Sequence, residues 1–68
     1  MKAIEKFKKI ATDTHIVEGC YAYIAKKDNL EYVLYEPESG KNWVAVMDGD
    51  LMIDDLTVFQ AVKAINCS

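Results

Sequence analysis

The segment that decides the fold runs from residue 16 to residue 47 and reads IVEGCYAYIAKKDNLEYVLYEPESGKNWVAVM. It contains three runs rich in Val, Ile, Tyr, Trp and Ala, at residues 16–26, 30–36 and 42–47. β-branched and aromatic residues favour strands, and the stretches between the runs hold the Asp, Asn, Pro and Gly residues that favour turns. We therefore predict a three-stranded antiparallel meander.

A helix is predicted before the meander. Ala3, Ile4, Phe7, Ile10 and Ala11 recur at steps of three and four residues, which makes one apolar stripe of a helix. The Thr-Asp-Thr sequence that follows favours a turn, so we expect the helix to end there.

A second helix is predicted after the meander. Residues 48–50 form a tight turn, which a short strand at residues 51–53 could follow. The helix then begins at Asp54, Asp55 or Thr57, and Thr57 is followed three residues later by Gln, as in a capping box. Its predicted buried stripe consists of Leu56, Phe59, Val62 and Ile65. The resulting fold is α+β, a single domain over residues 1–68 of order α-β-β-β-α, with both helices packed on one face of the sheet.

Two turns set the predicted register of the meander. Placing the first hairpin tip at the Asp-Asn dipeptide brings Lys26 opposite Glu31. A four-residue turn at residues 37–40 brings Glu36 opposite Lys41. Opposite charges face each other at both places, which favours this register.

The register sorts the side chains of the meander onto two faces. The face with small and β-branched residues suits close packing against helices, so we predict it to be the core. Its residues are Cys20, Ala22, Ile24, Val33, Tyr35, Val44 and Val46. The other face then stays uncovered, and an uncovered aromatic patch on a small domain marks a binding surface. The predicted centre of that patch is Tyr21, Tyr23, Tyr32, Leu34 and Trp43.

Size and cysteine content restrict the class of protein. The 68 residues suffice for one domain of marginal stability. No apolar run approaches the roughly 20 residues that cross a bilayer, and the N-terminus lacks the apolar stretch of a secretion signal. Cys20 and Cys67 are too few for a disulfide framework, although the sequence leaves a bridge between them open. We expect a cytoplasmic protein without membrane contact.

Charge is distributed unevenly along the chain. Residues 1–27 carry six lysines and three acidic residues, whereas residues 28–68 carry two lysines and eight acidic residues. Clustered acidic residues can dock on a basic groove of another protein. We therefore predict a second partner-binding surface at the acids of the last turn and the start of the second helix. These are Asp48, Asp50, Asp54 and Asp55.

No pattern in the sequence points to catalysis. The single histidine, His15, and the plausible nucleophile, Cys20, are five residues apart on one predicted strand, which sends their side chains to opposite faces. The glycines are isolated, so no phosphate-binding loop is present. The acidic turn does not match an EF-hand loop, because Met52, Ile53 and Phe59 stand where a ligand, a Gly and a Glu are required. We expect no catalytic residue, no metal, no cofactor and no enzymatic activity.

Nucleic-acid binding is the alternative function. The order helix, three strands, helix is similar to that of the double-stranded-RNA-binding domain, a family that grips phosphates with a hairpin His and with lysines at the start of its second helix. Here the hairpin tip is Asp28-Asn29 and the second helix opens with Asp54-Asp55, which repel phosphates. The chain also contains no arginine. The lysines of the first helix and the sheet aromatics favour this alternative, because aromatic rings can stack on bases.

The preferred prediction is a small non-enzymatic protein-interaction module. Tyr and Trp often dominate the binding energy of interfaces, and the aromatic patch could pair with itself or with a different protein. In size, acidity and architecture the chain resembles the compact inhibitors that phages and other mobile elements encode, such as anti-CRISPR proteins. The resemblance implies an inhibitor or regulator of a host protein that handles nucleic acid. A structural homo-oligomer subunit is a further alternative.

Overall fold

The computed structural model describes residues 2–66, which form two helices and five strands. Each strand pairs antiparallel with its neighbour in the chain, so the sheet order is β1-β2-β3-β4-β5. The α+β class is confirmed, whereas the predicted number of three strands is wrong. In chain order the elements are α1 (Ala3–Ile10), β1 (Asp13–Val17), β2 (Cys20–Lys27), β3 (Leu30–Pro37), β4 (Trp43–Asp48), β5 (Leu51–Leu56) and α2 (Val58–Asn66).

The first additional strand arises because the run at residues 16–26 is broken by a tight hairpin. Glu18 and Gly19 both have positive φ, at 48° and 76°, as the central residues of a type I′ turn require. Asn-Gly and Asp-Gly are the usual signals of that turn, and Glu rarely adopts a left-handed backbone. The sequence therefore reads as one continuous strand although it folds into two.

The second additional strand contains residues that we assigned to a helix start. β5 includes Asp54 and Asp55, and α2 begins only at Val58. The predicted capping box is confirmed, because the Gln60 N–H donates to Thr57 Oγ1 at 3.1 Å and the Thr57 N–H donates to Gln60 Oε1 at 3.0 Å. The buried stripe of α2 is shifted from the predicted one, and Phe59 is 70% exposed. The apolar residues of α2 that contact the core are Val58, Ala61, Val62 and Ile65.

One of the two predicted registers is confirmed. Asp28 and Asn29 both have positive φ at the tip of the β2–β3 hairpin, and Lys26 pairs with Glu31. The second register is wrong by one residue, because Tyr35 pairs with Trp43 across a five-residue connection at residues 38–42. A slip of one residue moves every side chain of a strand to the opposite face of the sheet.

The predicted assignment of the two faces is right for β4 and wrong for β2 and β3. Both helices pack on the side of the sheet that carries Leu34, Val44 and Val46. The other residues predicted for the core face lie on the opposite side of the sheet, and they are Cys20, Ala22, Ile24, Val33 and Tyr35. The physical reason is that both faces of the meander carry apolar residues, so the alternation of side chains does not identify the face that the helices cover. The buried core consists of Phe7, Ala25, Leu34, Val44, Ala61 and Val62.

One lysine fastens the end of α2 to the sheet. The Lys27 Nζ donates to the backbone carbonyls of Ala64 and Ile65, at 3.1 and 2.7 Å. These carbonyls belong to the last turn of the helix, where a cation also interacts favourably with the helix dipole. Over the described part of the chain, neither helix has the length and apolar character that crossing a membrane requires.

Candidate protein-binding surface

The face of the sheet opposite the helices, which we term the open face, is not covered by any element formed by residues 2–66. Its side chains lie in rows, because residues paired across antiparallel strands project on the same side. The two central rows, read from β1, are His15, Ala22, Tyr35 and Trp43, and then Asp13, Ile24, Val33, Ala45 and Asp55. The two outer rows are Val17, Cys20 and Pro37, and Lys26, Glu31, Met47 and Met52.

The open face has an apolar centre and a charged periphery. The centre is formed by residues with short side chains that are almost inaccessible to solvent, namely Ala22, Val33 and Ala45. Exposed charges stand at its margins, with Asp13 at the β1 edge and Asp55 at the β5 edge. An apolar centre depleted of charge inside a polar rim is the usual anatomy of a protein–protein interface.

A stacked aromatic pair lies on the open face. The rings of Tyr35 and Trp43 lie 4.8 Å apart between centroids, with 28° between their planes. Trp43 remains 40% exposed. The stack holds the indole in one orientation, because a second ring supports one of its faces.

A shallow hollow of about 390 Å³ adjoins Trp43 at the edge of the open face. Its wall combines apolar surface with one basic and one acidic side chain, so it could hold a side chain of a bound protein. Besides Trp43 it is lined by Lys41, Asn42, Asp55, Leu56, Thr57 and Gln60.

The five aromatic and apolar residues predicted as one patch do not lie on one surface. Leu34 is fully buried beneath the helices, and Tyr23 and Tyr32 are half-buried against the same core. Tyr21 is exposed but lies on the helix side of the sheet, as its alternation with Ala22 requires. Only Trp43 stands on the open face. The register slip between β3 and β4 is the reason that the other four are separated from it.

Tyr23 takes part in a contact that joins α1 to the sheet. Its hydroxyl donates to Glu36 Oε1 at 3.3 Å, and the Lys8 Nζ lies 5.1 Å from the centre of its ring. Lys8 also donates to Glu36 Oε2 at 3.1 Å. The hydrogen bond from Lys8 to the Glu36 carboxylate raises the pKa of the lysine, although partial desolvation acts in the opposite direction.

The four predicted acidic residues are spread along one edge of the sheet. Asp48 ends β4, Asp50 lies in the turn that follows, and Asp54 and Asp55 lie on β5 with side chains on opposite faces; all four are exposed. Between them β5 exposes Leu51, Met52 and Ile53. This acidic edge therefore combines charge with apolar surface. Within residues 2–66, no group of three or more potential metal-binding side chains comes together.

The prediction that His15 and Cys20 lie on opposite faces is wrong. The Glu18-Gly19 turn places them on neighbouring strands, and both belong to the open face. The His15 Nε2 lies 3.6 Å from Asp13 Oδ2, whereas the Cys20 thiol donates to its neighbour's backbone carbonyl at 3.6 Å. Cys67, the suggested disulfide partner of Cys20, lies outside the described residues.

Charge is separated between the two layers of the molecule. Lys2 and the helices together hold five lysines and one glutamate, a formal charge of +4, whereas the rest of the chain holds three lysines and ten acidic residues, a formal charge of −7. Because the helices pack on the side of the sheet opposite to the open face, the helical lysines and the Tyr35–Trp43 pair lie on opposite sides of the molecule.

Comparison with family models, curated proteins and solved structures gives no match.

Proposed function

We propose that this protein is a non-enzymatic protein-interaction module that binds through its open face. The observation that carries the proposal is the uncovered apolar centre of that face, with the stacked Tyr35–Trp43 pair beside it. Burial of apolar surface contributes about 25 cal/mol per Å². Because Ala22, Val33 and Ala45 are already almost inaccessible, the gain on binding comes from longer side chains such as Trp43, which is 40% exposed.

Trp43 is the expected anchor of the contact. A tryptophan that acts as an energetic hot spot of an interface often contributes about 2 kcal/mol or more to the free energy of binding. The stack on Tyr35 orients the indole before binding, so less side-chain entropy is lost when the complex forms.

The proposal is tested by two matched substitutions of exposed aromatic residues. Trp43→Glu introduces a charge on the open face, and Phe59→Glu introduces the same charge on the helical layer, where Phe59 is 70% exposed. Each variant is immobilised and used to capture proteins from a cell lysate. We expect a protein captured by the wild type to be lost with Trp43→Glu and retained with Phe59→Glu, after circular dichroism has shown that both variants fold. The reverse pattern would place the binding surface on the helices and overturn the proposal.

A second candidate function rests on the acidic edge. Asp48, Asp50, Asp54 and Asp55 are all exposed, and the sheet layer as a whole is strongly negative. Such an edge could occupy the basic groove of a protein that handles nucleic acid and so act as an inhibitor or regulator. Replacing Asp54 and Asp55 by Asn should then weaken binding and reduce its dependence on salt, whereas unchanged binding would argue against this role.

Direct nucleic-acid binding is less well supported by the geometry. It would require the helical lysines and the open-face aromatics to contact one strand, yet the body of the domain separates them. Lys8 is also engaged by Glu36. A gel shift at low salt with single-stranded and duplex probes tests the alternative, and a salt-sensitive shift would support it over the protein-binding role.

A further inference from the structure

We infer that the outer edge of β1 takes an extended segment of another protein as a sixth strand of the sheet, and that this segment is apolar at its centre and basic at its ends. β1 is the first strand of the sheet, and no element formed by residues 2–66 lies beyond it. The edge of β1 is a different surface from the open face, so the inference goes beyond the proposed function. An unpaired strand edge presents a row of backbone N–H and C=O groups, with which an added strand can pair.

The β1–β2 hairpin determines which backbone groups of β1 face outward. Its turn has two residues, so Val17 and Cys20 close it as a hydrogen-bonded pair. Bonded and non-bonded pairs alternate along an antiparallel ladder, so the N–H and C=O of Ile16, one residue earlier, point away from β2. The Thr14 N–H faces outward by the same alternation, and it donates to the Asp13 side chain, at 3.2 Å from Oδ1. The edge therefore offers a hydrogen-bonding template at Ile16.

The side chains of β1 are uncovered on both faces of the sheet. All five residues of the strand are exposed, and Ile16 and Val17 present apolar side chains on opposite faces. Tyr21, which pairs with Ile16 on the helix side, is exposed beside it. A strand added to β1 would cover these apolar groups while it pairs with the backbone, so apolar burial and hydrogen bonding both favour the contact.

The two edges of the sheet differ in their protection. The register of β4 with β5 shifts between Val46 and Met47, which marks a bulge, and on β5 the Asp55 N–H donates to Asp54 Oδ1 at 2.8 Å. Bulges and charged side chains are the usual means by which an edge strand avoids pairing with another chain. β1, in contrast, pairs with β2 in a regular register over all five residues and contains no lysine or proline. Its apolar end is thus the part of the sheet edge that remains open to an added strand.

Charge at the two ends of β1 selects the occupant. Asp13 begins the strand, Glu18 follows its last residue, and both are exposed. Two copies of β1 paired antiparallel about a two-fold axis would bring Asp13 of each copy near Glu18 of the other, which is repulsive. A strand with lysine or arginine at both ends places a cation near each of these acids. The occupant is therefore a basic extended segment of a different protein.

The test uses the synthetic peptide Lys-Thr-Val-Thr-Val-Thr-Lys, with both ends blocked, as the added strand. It is titrated into the wild-type protein, and the backbone amides are followed by NMR and by hydrogen exchange. We expect the Ile16 amide to shift and its exchange to slow about tenfold at about 1 mM peptide, which corresponds to a dissociation constant of about 0.1 mM. The His15 and Val17 amides face β2 and serve as internal references. The same peptide with Glu in place of both Lys residues should bind at least about tenfold more weakly.

Two matched proline variants test the position of the added strand. Ile16→Pro removes the outward N–H of β1 without removing a bond to β2. Met52→Pro makes the same change on β5, where Met52 also lies one residue from the closing pair of a two-residue hairpin. After circular dichroism has shown that both fold, only Ile16→Pro should lose the shift of the Thr14 amide. The titration of the wild type depends on neither variant.

Several outcomes would overturn the inference. An Ile16 amide that is unaffected at about 1 mM peptide excludes the added strand, and shifts confined to Leu51–Leu56 place it at the other edge. Equal binding of the Lys and Glu peptides removes the role of charge. Shifts of the Ile16 amide that depend on protein concentration without peptide identify a second copy as the occupant. None of these results affects the lysate capture with Trp43→Glu and Phe59→Glu, because neither residue lies on β1.

Discussion

Tyr35 and Trp43 stack across β3 and β4 with ring centroids 4.8 Å apart, on the face of the sheet that the helices leave uncovered. Stacked aromatic pairs contribute about 0.5–1.5 kcal/mol beyond their burial. We expect a double-mutant cycle with Tyr35→Leu and Trp43→Leu, measured by urea unfolding at low protein concentration, to give a coupling energy in that range. Additive effects of the two substitutions would show that the rings do not stabilise each other.

Leu34 anchors the other face, where it is fully buried against both helices. Leu34→Ala should lower the free energy of unfolding by about 2–5 kcal/mol, because it removes buried methyl groups and leaves a cavity. Ile16→Ala is the matched control, since Ile16 is among the most exposed apolar side chains and should change stability by less than about 0.5 kcal/mol. Equal effects of the two substitutions would contradict the burial of Leu34 beneath the helices.

Leu34 and Trp43 illustrate which parts of the fold could be predicted from the sequence and which could not. Strand-forming residues in alternation and a helical stripe are local signals, so the α+β class, the first helix and the β2–β3 hairpin were predicted correctly. The length of the connection after Pro37 is not determined locally, because a four-residue and a five-residue loop are both compatible with Pro and Gly in that stretch. The single residue of difference placed Trp43 with Leu34 in the prediction, whereas the structure places it with Tyr35.

The choice between the two faces failed for a different reason. Both faces of the meander are apolar, so hydrophobic alternation could not identify the buried one. The deciding contacts, in which Phe7, Ala61 and Val62 of the helices pack with Ala25, Leu34 and Val44 of the sheet, exist only in the packed structure. Of the predicted site residues, Trp43, Tyr21 and the four acidic residues are exposed and Leu34 is buried, and partner binding by the exposed ones stays a prediction.

The β1–β2 turn should be open to stabilisation. Glu18 adopts a φ of 48°, a conformation that Asn tolerates better than Glu. Glu18→Asn should raise the free energy of unfolding by about 0.5 kcal/mol. Glu38→Asn, in the exposed loop after β3, removes the same charge and should have a smaller effect; thermal unfolding of the two variants side by side gives the comparison. A larger gain at residue 38 would mean that charge, rather than backbone conformation, is responsible.

Two adjacent lysines provide a matched test of the link between the sheet and α2. Lys27 donates to two carbonyls at the end of the helix, whereas Lys26 is exposed on the open face. Lys27→Met should lower the free energy of unfolding by about 1–3 kcal/mol, because these carbonyls lose a charged donor. Lys26→Met should change it by less than about 0.5 kcal/mol when measured on the monomer. Urea unfolding followed by circular dichroism distinguishes them, and comparable losses would indicate that the Lys27 contact contributes little.

The contact between Lys8 and Glu36 should make stability depend on pH in the alkaline range. The carboxylate raises the pKa of Lys8 above its ordinary value of 10.5, so the folded state holds this proton more tightly than the unfolded state. The contribution of the pair is therefore complete below pH 10.5 and is lost as the pH rises through the raised pKa of the lysine. Because both side chains are partly exposed, it should amount to no more than about 1 kcal/mol.

The measurement compares the free energies of unfolding of the wild type, Lys8→Met and Lys9→Met from about pH 8 to about pH 12. Lys9→Met removes an exposed lysine of the same helix without breaking the contact with Glu36, so it controls for the loss of one charge. The wild type should exceed Lys8→Met at the lower pH values, and the two should converge at the alkaline end. A difference that stays constant over the whole range would assign the effect of Lys8 to packing that does not depend on its charge, instead of the ion pair.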